Sequence, residues 1–154
     1  MRRPIIAGNW KMNTERDSAI ALAKGVRRLT EQVRAVDVVL IPPSIFLSDV
    51  KKSLEGSRIS LGAQNCEYRE SGAFTGETST SMLSSVGCSF VLCGHSERRA
   101  IYGETNGTIN AKLHAVLKSG LTPILCIGET KEERDQGKTM KRITTQLKEG
   151  LNQV

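Results

Sequence analysis

Phe90-Val91-Leu92-Cys93-Gly94-His95-Ser96-Glu97-Arg98-Arg99 passes from four apolar residues through a glycine into a charged segment. The apolar four are strand-sized and closed by Gly94. Apolarity without alternation fits a strand buried on both faces, as in a parallel sheet. Ser96 to Ala100 then starts a short helix, with Ser96 near its cap. His95 therefore stands where a buried strand ends and a helix begins.

The same alternation extends in both directions. Ile5-Ile6-Ala7, Val38 to Ile41, Ile59 to Ala63 and Pro123 to Ile127 are further short apolar runs closed by Gly, Pro or a polar residue. Between them lie helical patterns. Thr14 is the expected cap of a helix reaching about Arg34, with an apolar stripe of Ile20, Leu22, Ala23, Val26 and Leu29. Ser44 to Leu54, Ser79 to Val86 and Asn106 to Ser119 follow, the last two stopped by Gly87 and Gly120. Thr130-Lys131-Glu132-Glu133 is a capping box that opens a final helix running to the end of the chain.

Strand then helix, five times over and without a linker, predicts one α/β domain over residues 1–154 with parallel strands and right-handed crossovers. Two architectures accept this order. One is an open five-stranded sheet of the flavodoxin type. The other is a (β/α)8 TIM barrel cut short after five strand–helix units, since units of ~31 residues repeated eight times reach the usual barrel size of ~250. Length alone admits both.

Composition narrows the function. The 22 Lys and Arg against 16 Asp and Glu give a net charge of +6. These cations are interleaved with Glu, with no basic block or aromatic platform, so a solvated basic surface is expected and nucleic acid is not. No run approaches the ~20 apolar residues of a membrane span. Met1 to Asn13 lacks the apolar core and cleavage site of a signal peptide. Cys66, Cys88, Cys93 and Cys126 form no CxxC pair and no zinc spacing. A reducing, cytoplasmic setting and no metal are expected. The Asn106-Gly107-Thr108 sequon is read as chance.

In either architecture function gathers beyond the carboxyl ends of the strands. Gly8-Asn9-Trp10-Lys11 follows the first apolar run, Gln64-Asn65 the third, Gly94 to Arg99 the fourth and Gly128-Glu129 the fifth. Lys11 is either an ordinary surface lysine or a cation that holds an anion and stabilises developing negative charge. His95, at a helix start, feels the positive end of the dipole and is expected as a neutral hydrogen-bond donor. Its bland alternative is a packed histidine bonded to backbone, the reading given to mid-helix His114. For Glu97 an ion-pairing role with Lys11, Arg98 or Arg99 is favoured over acid–base work. Glu129 is read as the start of the last helix. The long connection from Gln64 to Thr78 carries Phe74 between Gly72 and Gly76, which suggests either docking into a partner or a ring folded back on its own core.

GNWKMN at 8–13, AQN at 63–65, GAFTGE at 72–77, GHSERR at 94–99 and CIGET at 126–130 occur in this order at successive strand ends. Together they resemble triosephosphate isomerases, and the match runs from the first residue to the last. The resemblance implies a cytoplasmic, homodimeric βα-barrel enzyme of glycolysis and gluconeogenesis. It would interconvert D-glyceraldehyde 3-phosphate and dihydroxyacetone phosphate through an enediolate, without cofactor. By matching position, Asn9 and Lys11 would bind substrate and Lys11 would support the enediolate charge. His95 would be the electrophile, with Ser96 and Glu97 in support. A neutral catalytic histidine at a helix start is a known device of this very family and comes with the resemblance. Gln64, Asn65, Phe74, Thr75, Gly76 and Glu77 would belong to an interdigitating dimer loop, with Thr75 reaching toward the partner's site.

One departure is large. The family's general base is a glutamate after the sixth strand, followed by a lid and glycine-rich phosphate loops, and the chain stops at Val154 before all of them. The 154 residues alone are expected to be inactive and marginally stable, with the first and fifth strands left as edges. Smaller departures lie in Tyr102 to Gly107, where Gly107 weakens the helix start and nothing is expected to touch the chemistry. A non-catalytic phosphate-binding α/β module, and a fragment that interferes with dimer assembly, are the alternative readings.

Overall fold

In the computed structural model, which describes residues 3–154, five parallel strands form one sheet in the order β1-β2-β3-β4-β5. The strands are β1 (Ile5–Asn9), β2 (Asp37–Ile41), β3 (Ser60–Ala63), β4 (Phe90–Cys93) and β5 (Thr122–Leu125). Strictly sequential order decides between the two architectures. A flavodoxin-type sheet reverses direction at a switch point, whereas here every crossover steps the same way and the sheet curls. The result is five units of an incomplete TIM barrel, with β1 and β5 paired on one side only among the described residues.

The apolar runs produce this because they serve two cores with a period of two. Val39, Ile41 and Leu92 sit together on one side of the sheet, joined by Phe90, Ile124 and Cys126. Leu40, Leu61, Val91 and Cys93 face the helices and pack with Ala19, Ala23, Val50, Leu83, Ile109 and Val116. Gly62 belongs to the crowded first side. A Cβ there would lie 3.0 Å from Ile41 and 3.2 Å from Val39.

The helices are α1 (Arg16–Thr30), α2 (Leu47–Ser53) behind a 3-10 turn at Ser44–Phe46, α3 (Thr80–Ser85), α4 (Ser96–Ile101), α5 (Asn106–Lys118), α6 (Lys131–Asp135) and α7 (Thr139–Gly150). Four expectations need correction. The cap of α1 is Glu15, in a reciprocal box with Ser18, while Thr14 sits just before it at φ +77°. The helix ends at Thr30, short of Arg34. Its buried face is Ala19 and Ala23 with Val26 packed behind, and Leu29 is 77% exposed. Leu22 and Leu29 lie seven apart on a second stripe, turned away from the sheet. Finally, the terminal helix is two helices, because Gly137 at φ +67° ends α6 before α7 begins. The Thr130–Glu133 capping box is present at the start of α6 as expected. Among the described residues no helix is long and apolar enough to cross a membrane.

Candidate active site

A cavity of about 420 Å³ opens at the carboxyl ends of the strands, and Asn9, Lys11, Gln64, Asn65, His95 and Glu97 line it. The strand ends carry these residues to one mouth. β1 delivers Asn9 and Lys11, β3 delivers Gln64 and Asn65, and β4 delivers His95.

Lys11 is held in an unusual backbone state, φ +55°. Left-handed backbone costs a non-glycine residue roughly 1–2 kcal/mol, and such strain persists only where surrounding contacts impose it. Two contacts do so. Asn9 Oδ1 accepts the Lys11 amide at 2.9 Å, and Gln64 Nε2 donates to the Lys11 carbonyl at 2.8 Å. The same Gln64 amide reaches the Ile41 carbonyl at 3.1 Å, so one side chain ties the Lys11 turn to the end of β2.

His95 is the cap of α4, displacing Ser96 from that role. Its Nδ1 accepts the Glu97 amide at 3.3 Å. A nitrogen that accepts carries no proton, so in the neutral ring the hydrogen sits on Nε2, which is left to donate. Glu97 joins the pieces. Its Oε1 is 2.7 Å from Lys11 Nζ, and its backbone amide is the donor that His95 Nδ1 accepts. The Lys11 ammonium, by hydrogen bond and by charge, holds the Glu97 carboxyl below the usual glutamate range. The pairing role anticipated for Glu97 is thus the observed one. Ser96 is exposed on α4, and no side-chain bond links it to the cluster among the described residues.

Beneath the mouth lies a network that sequence reasoning missed. Glu104 Oε1 accepts from both Arg98 Nε and Lys112 Nζ at 2.5 Å. Lys112 also donates to Asn65 Oδ1 at 2.7 Å. The side chains of Lys112 and Glu104 are only 5% and 6% exposed. Burial, the largest single influence, pushes the Glu104 carboxyl up, but the hydrogen bonds from Lys112 and Arg98 outweigh it and hold the group low. No local signal marks Glu104, since its partners arrive from α4 and from the middle of α5. The expectation that residues 102–107 stay clear of the site was therefore too narrow.

The connection 64–78 divides in two. Gln64 and Asn65 bond inward, as above. The stretch from Arg69 to Glu77 is exposed, anchored by the Glu67 amide donating to the Thr78 carbonyl at 2.8 Å. Phe74 packs neither on the core nor freely in solvent. The Arg69 guanidinium stacks 4.4 Å above its ring. Gly76 and Glu77 line the cavity of their own chain, and Thr75 lies outside that lining. His114 bonds the Asn152 carbonyl at 3.1 Å, away from the site, and Glu129 pairs with Arg134 at 2.8 Å.

Gly94 makes the turn that sets His95 in place. It adopts φ +73°, and a Cβ would fall 2.6 Å from Ile109 Cδ1. Gly94→Ala combines left-handed strain with overpacking, so we expect a loss of about 2–4 kcal/mol, read as a lowered urea midpoint with unchanged slope. A variant within 0.5 kcal/mol of the parent would mean that the turn relaxes freely.

A curled parallel sheet that brings a lysine, a carboxylate and an imidazole to one mouth at its carboxyl ends has the architecture of an incomplete βα barrel. The triosephosphate isomerase family model matches residues 4–154. A triosephosphate isomerase of Rhodopirellula baltica is 50% identical over 99% of the chain and 61% of its own length. Those of Chlorobium phaeobacteroides and Pseudomonas entomophila are 47% and 49% identical over 100% and 96% of the chain. The chain belongs to the triosephosphate isomerase family. It spans about 60% of the length of these curated relatives.

Proposed function

We propose that these residues supply the electrophilic half of triose phosphate isomerisation, the interconversion of D-glyceraldehyde 3-phosphate and dihydroxyacetone phosphate. The observation that carries this reading is the link from Lys11 through the Glu97 carboxylate and the Glu97 backbone amide to His95, which unites the ends of β1 and β4 around one cavity. Removing a proton next to the substrate carbonyl puts negative charge on its oxygen. A donor already aimed at that oxygen is worth most in the transition state, because it needs no reorganisation. His95 Nε2–H is such a donor and also passes the proton between the two oxygens. Lys11 leaves Glu97 in part to meet the anionic substrate, and Asn9 keeps the Lys11 turn in register. The chemistry calls for no metal or organic cofactor.

The carbon-proton base is not matched among these 154 residues. By resemblance it is a glutamate beyond a sixth strand, so we expect the 154 residues alone to be inactive. We further take the working form as a homodimer in a cytoplasmic setting. Its support is the exposed 69–77 segment beside a groove lined by Ile45, Leu47, Met82 and Val86, with Ile45 78% exposed. The 69–77 segment of a second copy would cover that groove.

A chimeric barrel tests the function. Residues 1–154 are fused to the matching carboxyl-terminal remainder of one of the relatives above, and isomerisation is followed in a coupled assay. Turnover far above background is expected from the chimera, and none from the 154-residue chain. A folded chimera without turnover would remove the proposal.

A further inference from the structure

The β4–β5 ladder stops at a defined place. Cys93 pairs Leu125, and the Cys126 amide still reaches the Cys93 carbonyl at 2.9 Å. Beyond that the left-handed turn at Gly94 swings the chain off the ladder. The Gly94 and Cys126 carbonyls are then left at the tips of two adjacent strands without a strand amide to receive. One side chain meets both. Arg99 Nε donates to the Gly94 carbonyl at 2.8 Å, and Nη2 donates to the Cys126 carbonyl at 3.0 Å. Nη1 takes a third partner, Asn106 Oδ1 at 2.6 Å, and Asn106 in turn donates to Glu149 of α7 at 2.8 Å.

Three features make this more than incidental packing. The guanidinium lies against the bare Cα of Gly94, where a Cβ would be 3.0 Å from Nη2, so the close approach depends on that glycine. Only a planar fork serves two carbonyls and an amide oxygen at once; a lysine ammonium is a point donor on a flexible stem. And Arg99 does not line the cavity, while its neighbour in sequence Arg98 does. Whatever Arg99 contributes to the site must pass through the backbone it holds.

We propose that Arg99 is the positioning residue for His95: by clamping the Gly94 carbonyl to the tip of β5, it fixes the backbone from which the imidazole projects. The inference rests on His95 being the working donor of the site, but its test does not use turnover. With the clamp in place, the Glu97 amide reaches His95 Nδ1 and selects the single tautomer with Nε2–H. Without it the Gly94 turn loosens, and that marginal 3.3 Å contact is the first to go.

The chain has only two histidines, His95 and His114, which provides an internal reference. Long-range 1H–15N spectra of the imidazole rings are recorded for the 154-residue chain and its Arg99→Met and Arg99→Lys variants. In Arg99→Met the His95 ring nitrogens are expected to move toward the averaged pair of a free imidazole, while His114, held by Asn152, keeps its pattern. Arg99→Lys restores one carbonyl bond and is expected to fall between. An unchanged His95 pattern in both variants would overturn the proposal. So would a joint collapse of both histidines in the lysine variant, which would make Arg99 a determinant of the fold and not of the site. If the methionine variant alone unfolds, the lysine variant decides. Failure of the chimera to isomerise would leave this readout untouched, so the two proposals fail separately.

Discussion

His95→Gln in the chimeric barrel should lower kcat by about 10²–10³ with little change in the unfolding midpoint, the cost of removing one preorganised donor to a developing oxyanion. Glutamine keeps a donor of similar reach, but its amide is not held by the Glu97 N–H and cannot pass a proton onward. The loss should appear equally in kcat and kcat/KM, because the interaction matures only as charge builds. A parallel Lys11→Met variant should raise KM as well, since the ammonium also meets the substrate's negative charge before reaction. If His95→Gln barely changes turnover, the electrophile is another group.

Glu104→Ala should cost about 3–5 kcal/mol of folding stability, because it strands the Lys112 ammonium without its carboxylate. Lys112 is 4% exposed and has only Asn65 left to bond. Adding Lys112→Met should recover much of the loss, since a buried ion pair replaced by apolar groups is often neutral or better. The wild-type pair also predicts a pH response. The Glu104 carboxyl titrates lower in the folded chain than in the unfolded one. Its contribution is thus fully present above the unfolded glutamate value of ~4.3 and is lost as pH falls through the lower folded value. Urea midpoints of wild type should therefore drop more steeply below that point than those of the double variant. Equal acid sensitivity in the two would show that the pair is not what titrates.

Much of the architecture was legible because the strands are short, apolar and closed by glycine or polar residues, and because each is followed by a helix signal. The placement of His95 and Lys11 followed from the same logic, since strand tips in parallel sheets are where side chains of different units converge. Three features were not legible, each for a physical reason. Thr14 and Glu15 are adjacent cap candidates, and only the reciprocal bond with Ser18 distinguishes them. Leu22 and Leu29 form a regular stripe, but periodicity does not say which of two stripes the sheet covers. The Glu104–Lys112–Asn65 network depends on three segments meeting under the cavity, and no spacing along the chain announces it. Gln64 and Asn65 show the converse. The motif assigned them to an interdigitating dimer loop, and it gave no hint that their side chains also brace Lys11 and receive Lys112 within their own chain.

The same convergence can be seen directly with a bound mimic of the enediolate. A crystal structure of the chimeric barrel with 2-phosphoglycolate should place Lys11 Nζ and His95 Nε2 within about 3.2 Å of the ligand's carboxylate oxygens, with the Glu97 amide still donating to His95 Nδ1. A ligand seated in the cavity with either nitrogen beyond hydrogen-bond reach of that carboxylate would contradict the shared role assigned to the two residues.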